Sequence, residues 1–191
     1  MITAVLMNAE ILQIKEIDIT VNMKFKKGNG DGLYHFKKWL TSLIILPIII
    51  YLILNRGNYI FIDNADLIIH EAGHFFFRFF GKFIYTAGGT LMQIILPSLI
   101  AWYFFRNLYR TGVQISLLWL GQNFINISVY AADAQTRKLH LLGGSKVYHD
   151  WHFMLSQLNL LNYDFAVGYF FFVTAIIIFI VALLMPLVIK D

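Results

Sequence analysis

The residues best suited to chemistry lie in the segment HEAGH, where His70, Glu71 and His74 follow the pattern His-Glu-x-x-His. On a helix, two histidines four residues apart project from one face, one turn apart, so both imidazoles can reach a single Zn²⁺. Glu71 follows the first histidine, where a general base for a zinc-bound water is needed. The pattern therefore predicts that His70 and His74 bind zinc and that Glu71 is the catalytic base.

The same residues have a structural interpretation. In it, the histidines are hydrogen-bonded within a helical core, and Gly73 allows two helices to pack closely. The apolar sequence around the motif favours the metal site, because an ionisable group in a membrane span is costly unless it is paired or bound to a metal.

The composition is typical of a polytopic membrane protein whose main partner is the lipid bilayer. The chain is 59% hydrophobic and 14% charged, whereas soluble domains are about 25% charged. It contains no cysteine, which excludes disulfides and thiolate ligands and leaves His, Asp and Glu to bind a metal. The basic residues cluster beside apolar segments, which indicates membrane topology rather than nucleic-acid binding.

Five apolar segments predict an all-α bundle of about five transmembrane helices, at 39–54, 59–80, 91–105, 113–132 and 165–189. They form a single transmembrane domain, 39–189. A polar loop at 133–164, predicted to be cytoplasmic, contains a predicted amphipathic helix at about 151–161. The segment YTAGGT at 85–90 interrupts the helical pattern, which predicts either a re-entrant loop or a tight turn.

Residues 1–38 are predicted to be a cytoplasmic or interfacial segment, without the features of a cleaved signal peptide. Apolar and polar residues alternate from Ile17 to Phe25, which predicts a short β-strand. If the chain crosses the membrane five times, most of its Lys and Arg residues lie on the same side as the N-terminus. The positive-inside rule then predicts a cytoplasmic N-terminus and a C-terminus on the opposite side, in the plasma (inner) membrane if the source is bacterial.

A catalytic zinc needs a third protein ligand, and two polar stripes indicate where to look. The stripe of the motif helix, with Glu71 at its edge, comprises Asp63, Asp66, His70, His74 and Arg78. The stripe of the fourth span comprises Gln122, Asn126, Tyr130 and Asp133. Asp133 is the first candidate for the third ligand, because it ends the second stripe. Asp66 is predicted either to orient His70 or to cap the first helical turn.

The segment YHDWHF, at 148–153, offers two alternative ligands, His149 and Asp150. Either residue could reach the metal if the loop folds back, or the carboxylate could orient a ligand. In the alternative interpretation, Asp150 caps a helix and Trp151 anchors that helix at the bilayer surface.

Together these residues resemble the site-2-protease class of intramembrane zinc metalloproteases. The resemblance rests on HEAGH in an apolar span, a Gly-Gly segment after it, and a later span whose asparagines precede an aspartate. It implies that His70, His74 and Asp133 bind zinc, that Glu71 activates water, and that Asn123 or Asn126 supports the reaction centre. It also implies a peptide or membrane-protein substrate. In that family glycine usually follows the aspartate, whereas here alanine and glutamine follow Asp133.

Two other functions fit the same sequence. The chain could be a non-hydrolytic metal-binding membrane protein, such as a transporter or a pseudoenzyme, or a structural protein whose polar stripes hold helices together. Glu71 favours the hydrolase, because metal transport does not require a base beside the metal.

Overall fold

A computed structural model describes residues 36–139 and 149–189 of the chain. Every regular element in these two ranges is helical, which confirms the all-α prediction. The helices are α1 Phe36–Leu54, α2 Asp63–Phe77, α3 Lys82–Arg106, α4 Arg110–Ala132, α5 Asp150–Gln157 and α6 Asp164–Val188, with a 3-10 turn at Leu161–Tyr163. The predicted strand at 17–25 lies outside the described residues.

Three of these helices, α1, α3 and α6, are long and apolar enough to cross a membrane. The prediction of a membrane protein is therefore confirmed at this level, but the five predicted spans are not. Helix α2 has 15 residues and is about 22 Å long, which is less than the roughly 30 Å of a bilayer core. Helix α4 has 23 residues but carries several polar side chains.

The main core lies between α4, α6 and the part of α1 that follows Thr41. Its buried residues are Ile45, Ile49 and Leu52 of α1, Leu120, Phe124 and Ile125 of α4, and Ala175, Phe179 and Ala182 of α6. A methyl group on Gly121 would collide with the Phe179 ring. The small residue therefore lets α4 and α6 pack closely at mid-length.

Helices α4 and α6 are antiparallel along their whole length. Val113, near the start of α4, packs with Met185 and Ile189 at the end of α6. At the opposite end, Gly168 of α6 faces the carbonyl of Ser128 and the side chain of Ala132. The end formed by Ala132 and Gly168 is called the Asp133 end below, because Asp133 follows it directly.

Helix α1 is parallel to α4. The Thr41 and Thr111 hydroxyls are 3.2 Å apart, and the Ser42 hydroxyl donates to the Leu183 carbonyl at 2.9 Å. Thr41 and Ser42 of α1 therefore lie at the end of the bundle where α6 finishes. This end is called the Thr111 end below. That the two termini lie on opposite sides of a membrane stays a prediction.

The predicted interruption of the helix at 85–90 is wrong, both as a re-entrant loop and as a tight turn. Helix α3 begins at Lys82 and continues through Gly88 and Gly89. Packing explains the two glycines: a methyl group on Gly88 would collide with the backbone of Gly73 in α2, and one on Gly89 would collide with the His70 ring. Close contact with α2 thus overrides the weak helix propensity of glycine.

The predicted amphipathic helix after α4 exists but is shorter than expected, since α5 ends at Gln157. The alternative interpretation, in which Trp151 anchors this helix at the bilayer surface, does not fit the position of the side chain. It is 8% exposed and its ring packs edge-on against Phe171 of α6 at 5.3 Å between centroids. Buried Trp151 fixes the start of α5 against the bundle.

Candidate metal centre

Three side chains from two helices converge at the centre of the site. His70 and His74 extend from one face of α2, and Asp150 is the first residue of α5. The Asp150 Oδ2 atom lies 2.9 Å from His70 Nε2 and 3.2 Å from His74 Nε2. The two histidine Nε2 atoms are 3.2 Å apart. These three atoms, called the ligand triangle below, form a nearly equilateral set.

The remaining ring nitrogens of both histidines face oxygen acceptors. His74 Nδ1 is 2.8 Å from the Tyr85 carbonyl oxygen, which can only accept, so this nitrogen carries the proton. His70 Nδ1 lies 3.0 Å from Gln93 Oε1 and donates in the same way. In the neutral imidazoles, both Nε2 atoms then present lone pairs to each other and to a carboxylate oxygen.

Such a triangle of acceptors fits a cation. The same three atoms are held together either by a proton between Asp150 Oδ2 and a histidine Nε2 or by a metal ion that all three bind. Zinc with tetrahedral ligands at about 2.0–2.1 Å keeps those ligands about 3.3 Å apart, which is close to the distances found here. The triangle also leaves one tetrahedral position for water or substrate, as catalytic zinc sites do.

Glu71 stands beside the triangle rather than in it. Its carboxylate and the two histidines offer ligand atoms that all lie within 4.8 Å of one another. Asp150 gives the shorter distances, so it fits the third ligand better than Glu71. The exposed Glu71 side chain faces a cavity of about 910 Å³, whose lining also includes His70, His74, Tyr130 and Asp150. A water molecule in this cavity can contact the triangle and Glu71 together.

The first candidate for the third ligand, Asp133, is occupied elsewhere. It follows α4 and accepts hydrogen bonds from the Thr136 hydroxyl and from the backbone N–H groups of Lys138 and Leu139. Its Oδ2 atom is also 3.5 Å from His149 Nε2. Asp133 thus closes the turn after α4, whereas Asp150 is the aspartate whose carboxylate lies within 3.2 Å of both histidine Nε2 atoms.

The second alternative ligand, His149, has a structural position. Its Nδ1 atom accepts the backbone N–H of His152 at 3.2 Å, which caps the N-terminus of α5. The ring is buried and packs on Tyr130, with centroids 4.4 Å apart. His149 thus holds the turn that presents Asp150, and it does not contribute to the ligand triangle.

Asp66 lies in the first turn of α2, as predicted, but its carboxylate hydrogen-bonds to side chains of α4 rather than to His70. It is 1% exposed, and its Oδ1 atom accepts from Trp119 Nε1 at 2.8 Å and Asn123 Nδ2 at 3.2 Å. Asn126 Nδ2 bridges Asp66 and Asp63, at 3.4 Å and 2.7 Å. Asn123 and Asn126 therefore bind the aspartates that connect α2 to α4, not the metal ligands.

The stripe on α2 ends before Arg78. That residue follows the helix, is exposed, and lies over the rings of Phe75 and Phe79 at 4.6 Å. The stripe on α4 does face the site, as predicted. Gln122 and Asn126 reach Asp63, and the Tyr130 hydroxyl accepts the backbone N–H of Asp150 at 3.0 Å.

The two histidines favour the charged form of Asp150. Burial raises the pKa of Asp150, but hydrogen bonds donated by His70 and His74, when their Nε2 atoms carry protons, outweigh burial and hold the pKa below its usual range. Asp150 is therefore a carboxylate at neutral pH, the form that binds a metal. Burial lowers the pKa of His149, so that ring is neutral at pH 7.

Gln93 and the Tyr85 carbonyl were not identified as functional from the sequence. Gln93 carries a weak signal, since a glutamine in an apolar span needs a polar partner. The Tyr85 carbonyl carries none, because any backbone carbonyl can accept a hydrogen bond.

Comparison of the chain with protein-family models, characterised proteins and solved structures finds no match.

Proposed function

We propose that the protein is a membrane-embedded zinc metallopeptidase that hydrolyses peptide bonds in or near the membrane, with chemistry like that of the site-2-protease class. The observation that carries this proposal is the ligand triangle, with the Glu71 carboxylate within 4.8 Å of the histidine ligand atoms. A carboxylate beside an open metal position is the arrangement required for hydrolysis.

The chain's own residues divide the work as follows. His70, His74 and Asp150 hold the metal, and Gln93 and the Tyr85 carbonyl fix the two rings. Zinc, when bound, is a Lewis acid that makes water acidic enough to lose a proton near neutral pH. Glu71 accepts that proton while the water oxygen attacks the peptide carbonyl. Glu71 then returns the proton to the leaving nitrogen as the C–N bond breaks.

The substrate must reach the site in an extended form. The backbone of an intact membrane helix is bonded internally and presents no free carbonyl. The cavity of about 910 Å³ is large enough for several residues and is lined by both apolar and polar groups, including Tyr59, Leu67, Lys82, Tyr85, Asn126 and Ile127. This supports an unwound peptide segment as substrate rather than a folded domain.

We also propose that four helices, α1, α3, α4 and α6, cross the membrane and that α2 enters only part of it. Helix α4 extends along the full length of α6, so both reach the same depth. Asp63, at the start of α2, contacts Gln122 and Asn126 near the middle of α4. Helix α2 therefore begins near mid-depth and ends at the Asp133 end. Backbone inside a membrane is tolerated when protein or a cavity covers it.

In this arrangement the site opens at the Asp133 end, whereas α1 begins and α6 finishes at the Thr111 end. The cytoplasmic location of the N-terminus stays a prediction. If it holds, the cavity opens on the opposite side of the membrane.

The proposed activity is tested with purified protein in detergent, by cleavage of dye-quenched casein and by zinc content. Glu71→Gln should retain zinc at one per chain and lose at least about 100-fold in kcat, because the base is absent. His70→Ala should lose both zinc and activity. Glu16→Gln, a matched change at another of the three glutamates, should match the wild type.

Cleavage that persists in Glu71→Gln would contradict the assignment of the base. Zinc bound stoichiometrically, with no cleavage by the wild type, would instead support the non-hydrolytic metal-binding alternative.

A further inference from the structure

Tyr130 is a polar residue on the cavity wall for which the proposed chemistry has no role so far. It lies on α4, one turn after Asn126, and its side chain lines the same cavity as Glu71 and the ligand triangle. Its ring is 6.2 Å from the His70 ring, between centroids. A hydroxyl in this position is within reach of a substrate at the metal.

The hydrogen bonding of Tyr130 leaves its proton available. The hydroxyl oxygen accepts the backbone N–H of Asp150 at 3.0 Å, which fixes the oxygen. Among the described residues, no carbonyl or carboxylate accepts the hydroxyl proton. A phenol both accepts and donates, so, as far as the described residues go, the proton is open to a group in the cavity.

Packing holds the ring in place. The His149 ring packs against Tyr130 at a tilt of 39°, with centroids 4.4 Å apart, and the buried Trp151 fixes the adjacent turn. Donors that are already oriented stabilise developing charge most effectively, because they need not reorganise during the reaction.

Resting on the proposed function, we infer that Tyr130 is a further catalytic residue, which donates a hydrogen bond to the oxyanion formed from the scissile carbonyl. As the water oxygen bonds to the carbonyl carbon, the C=O π electrons move onto oxygen, and the Tyr130 O–H binds this charge without transferring its proton. The charge returns to re-form C=O as the C–N bond breaks and the nitrogen takes its proton from Glu71.

The test compares Tyr130→Phe with the wild type by three measurements. These are zinc content, casein cleavage, and the binding of N-phosphoryl-Leu-Phe to the cobalt-substituted protein, which is monitored by the absorption spectrum of the bound cobalt. The phosphoryl group is tetrahedral and anionic, as the oxyanion is. Tyr130→Phe should keep zinc at one per chain, lose about 100-fold in kcat with KM little changed, and bind the phosphoryl dipeptide at least about tenfold more weakly. Tyr163→Phe, which removes the hydroxyl of an exposed tyrosine that does not line the cavity, should match the wild type in all three.

Several outcomes would overturn this inference. Loss of zinc in Tyr130→Phe would show that Tyr130 only positions Asp150 through its backbone. Unchanged kcat and unchanged phosphoryl binding would show that it contacts neither species, even though the peptidase itself is real. If the wild type cleaves no casein, the proposed function fails, but binding of the phosphoryl dipeptide still tests the Tyr130 contact. Equal binding by the wild type and Tyr130→Phe, or binding by neither, would contradict that contact.

Discussion

At the scale of single residues, the site depends on what surrounds its ligands. Gln93 Oε1 accepts from His70 Nδ1 at 3.0 Å, and the Tyr85 carbonyl does the same for His74. These contacts keep both Nε2 atoms free for a metal. Partners of this kind typically change metal affinity 10–100-fold when removed.

Gln93→Leu is therefore expected to weaken zinc binding by about 10–100-fold, because the His70 ring loses the acceptor that fixes its tautomer and orientation. Competition with a chelator of known affinity, in detergent, measures the change. Gln157→Leu, an equivalent substitution at an exposed position of α5, serves as the control. Equal zinc affinities for the two variants would show that the His70–Gln93 contact does not support the metal.

The residue scale also shows where sequence reasoning succeeds and where it fails. His70, Glu71 and His74 are recognisable because four-residue spacing on a helix is local and determines a shared face. Asp150 meets His70 across 80 positions in the chain, and no local pattern reports such a contact. Asp133 ends a polar stripe just as a ligand would, but Thr136 and the following backbone N–H groups bind its carboxylate instead.

At the scale of elements, polar contacts inside the bundle compensate for a proline. Pro186 lies within α6 and has no N–H, so the Ala182 carbonyl lacks its usual partner four residues later. Gln114 Nε2 of α4 donates to that carbonyl at 2.9 Å and to the Ser42 hydroxyl at 2.8 Å. Gln114 thus links α1, α4 and α6 where the helix bond is missing.

Gln114→Leu should lower the free energy of unfolding by about 1–3 kcal/mol, because it leaves the buried Ala182 carbonyl unpaired. In a Pro186→Ala background the same substitution should cost less, since an alanine in place of the proline supplies the missing N–H. Chemical denaturation in detergent of the two single variants, the double variant and the wild type gives the coupling. Equal costs in both backgrounds would contradict the link between Gln114 and Pro186.

Helix packing also explains the incorrect prediction at 85–90. Glycine pairs commonly mark turns, but Gly88 and Gly89 here allow α2 to approach α3 and make room for the His70 ring. The sequence reports the flexibility of glycine, whereas only the packed structure reports the clash that a larger residue would cause. The glycines therefore belong to the site, but as a surface against which α2 packs.

At the scale of the whole molecule, helix direction decides where the site opens. Hydropathy identifies apolar segments, and three of them are confirmed as long apolar helices. It does not distinguish a helix that crosses the membrane from one that enters half of it, as we propose for α2. The four proposed crossings, one fewer than the sequence predicts, are consistent with a start of α1 at the Thr111 end.

Cysteine labelling tests this topology cleanly, because the chain has no cysteine of its own. Single cysteines at Arg56, Asn107 and Thr136 would be treated in intact cells with a membrane-impermeant maleimide. Four crossings predict that Arg56→Cys and Thr136→Cys react alike and that Asn107→Cys behaves oppositely, because 56 and 136 both lie towards the Asp133 end. Five crossings predict instead that position 56 reacts like 107. Labelling after permeabilisation controls for accessibility.

The central claim is that His70, His74 and Asp150 bind one metal ion. The most direct measurement is the zinc content of the purified wild type, Asp150→Asn and Asp133→Asn, with folding checked by circular dichroism. The wild type and Asp133→Asn should carry one zinc per chain, and Asp150→Asn should carry little or none, because it loses the anionic third ligand. Zinc lost from Asp133→Asn but retained in Asp150→Asn, or absent from the wild type, would contradict the account.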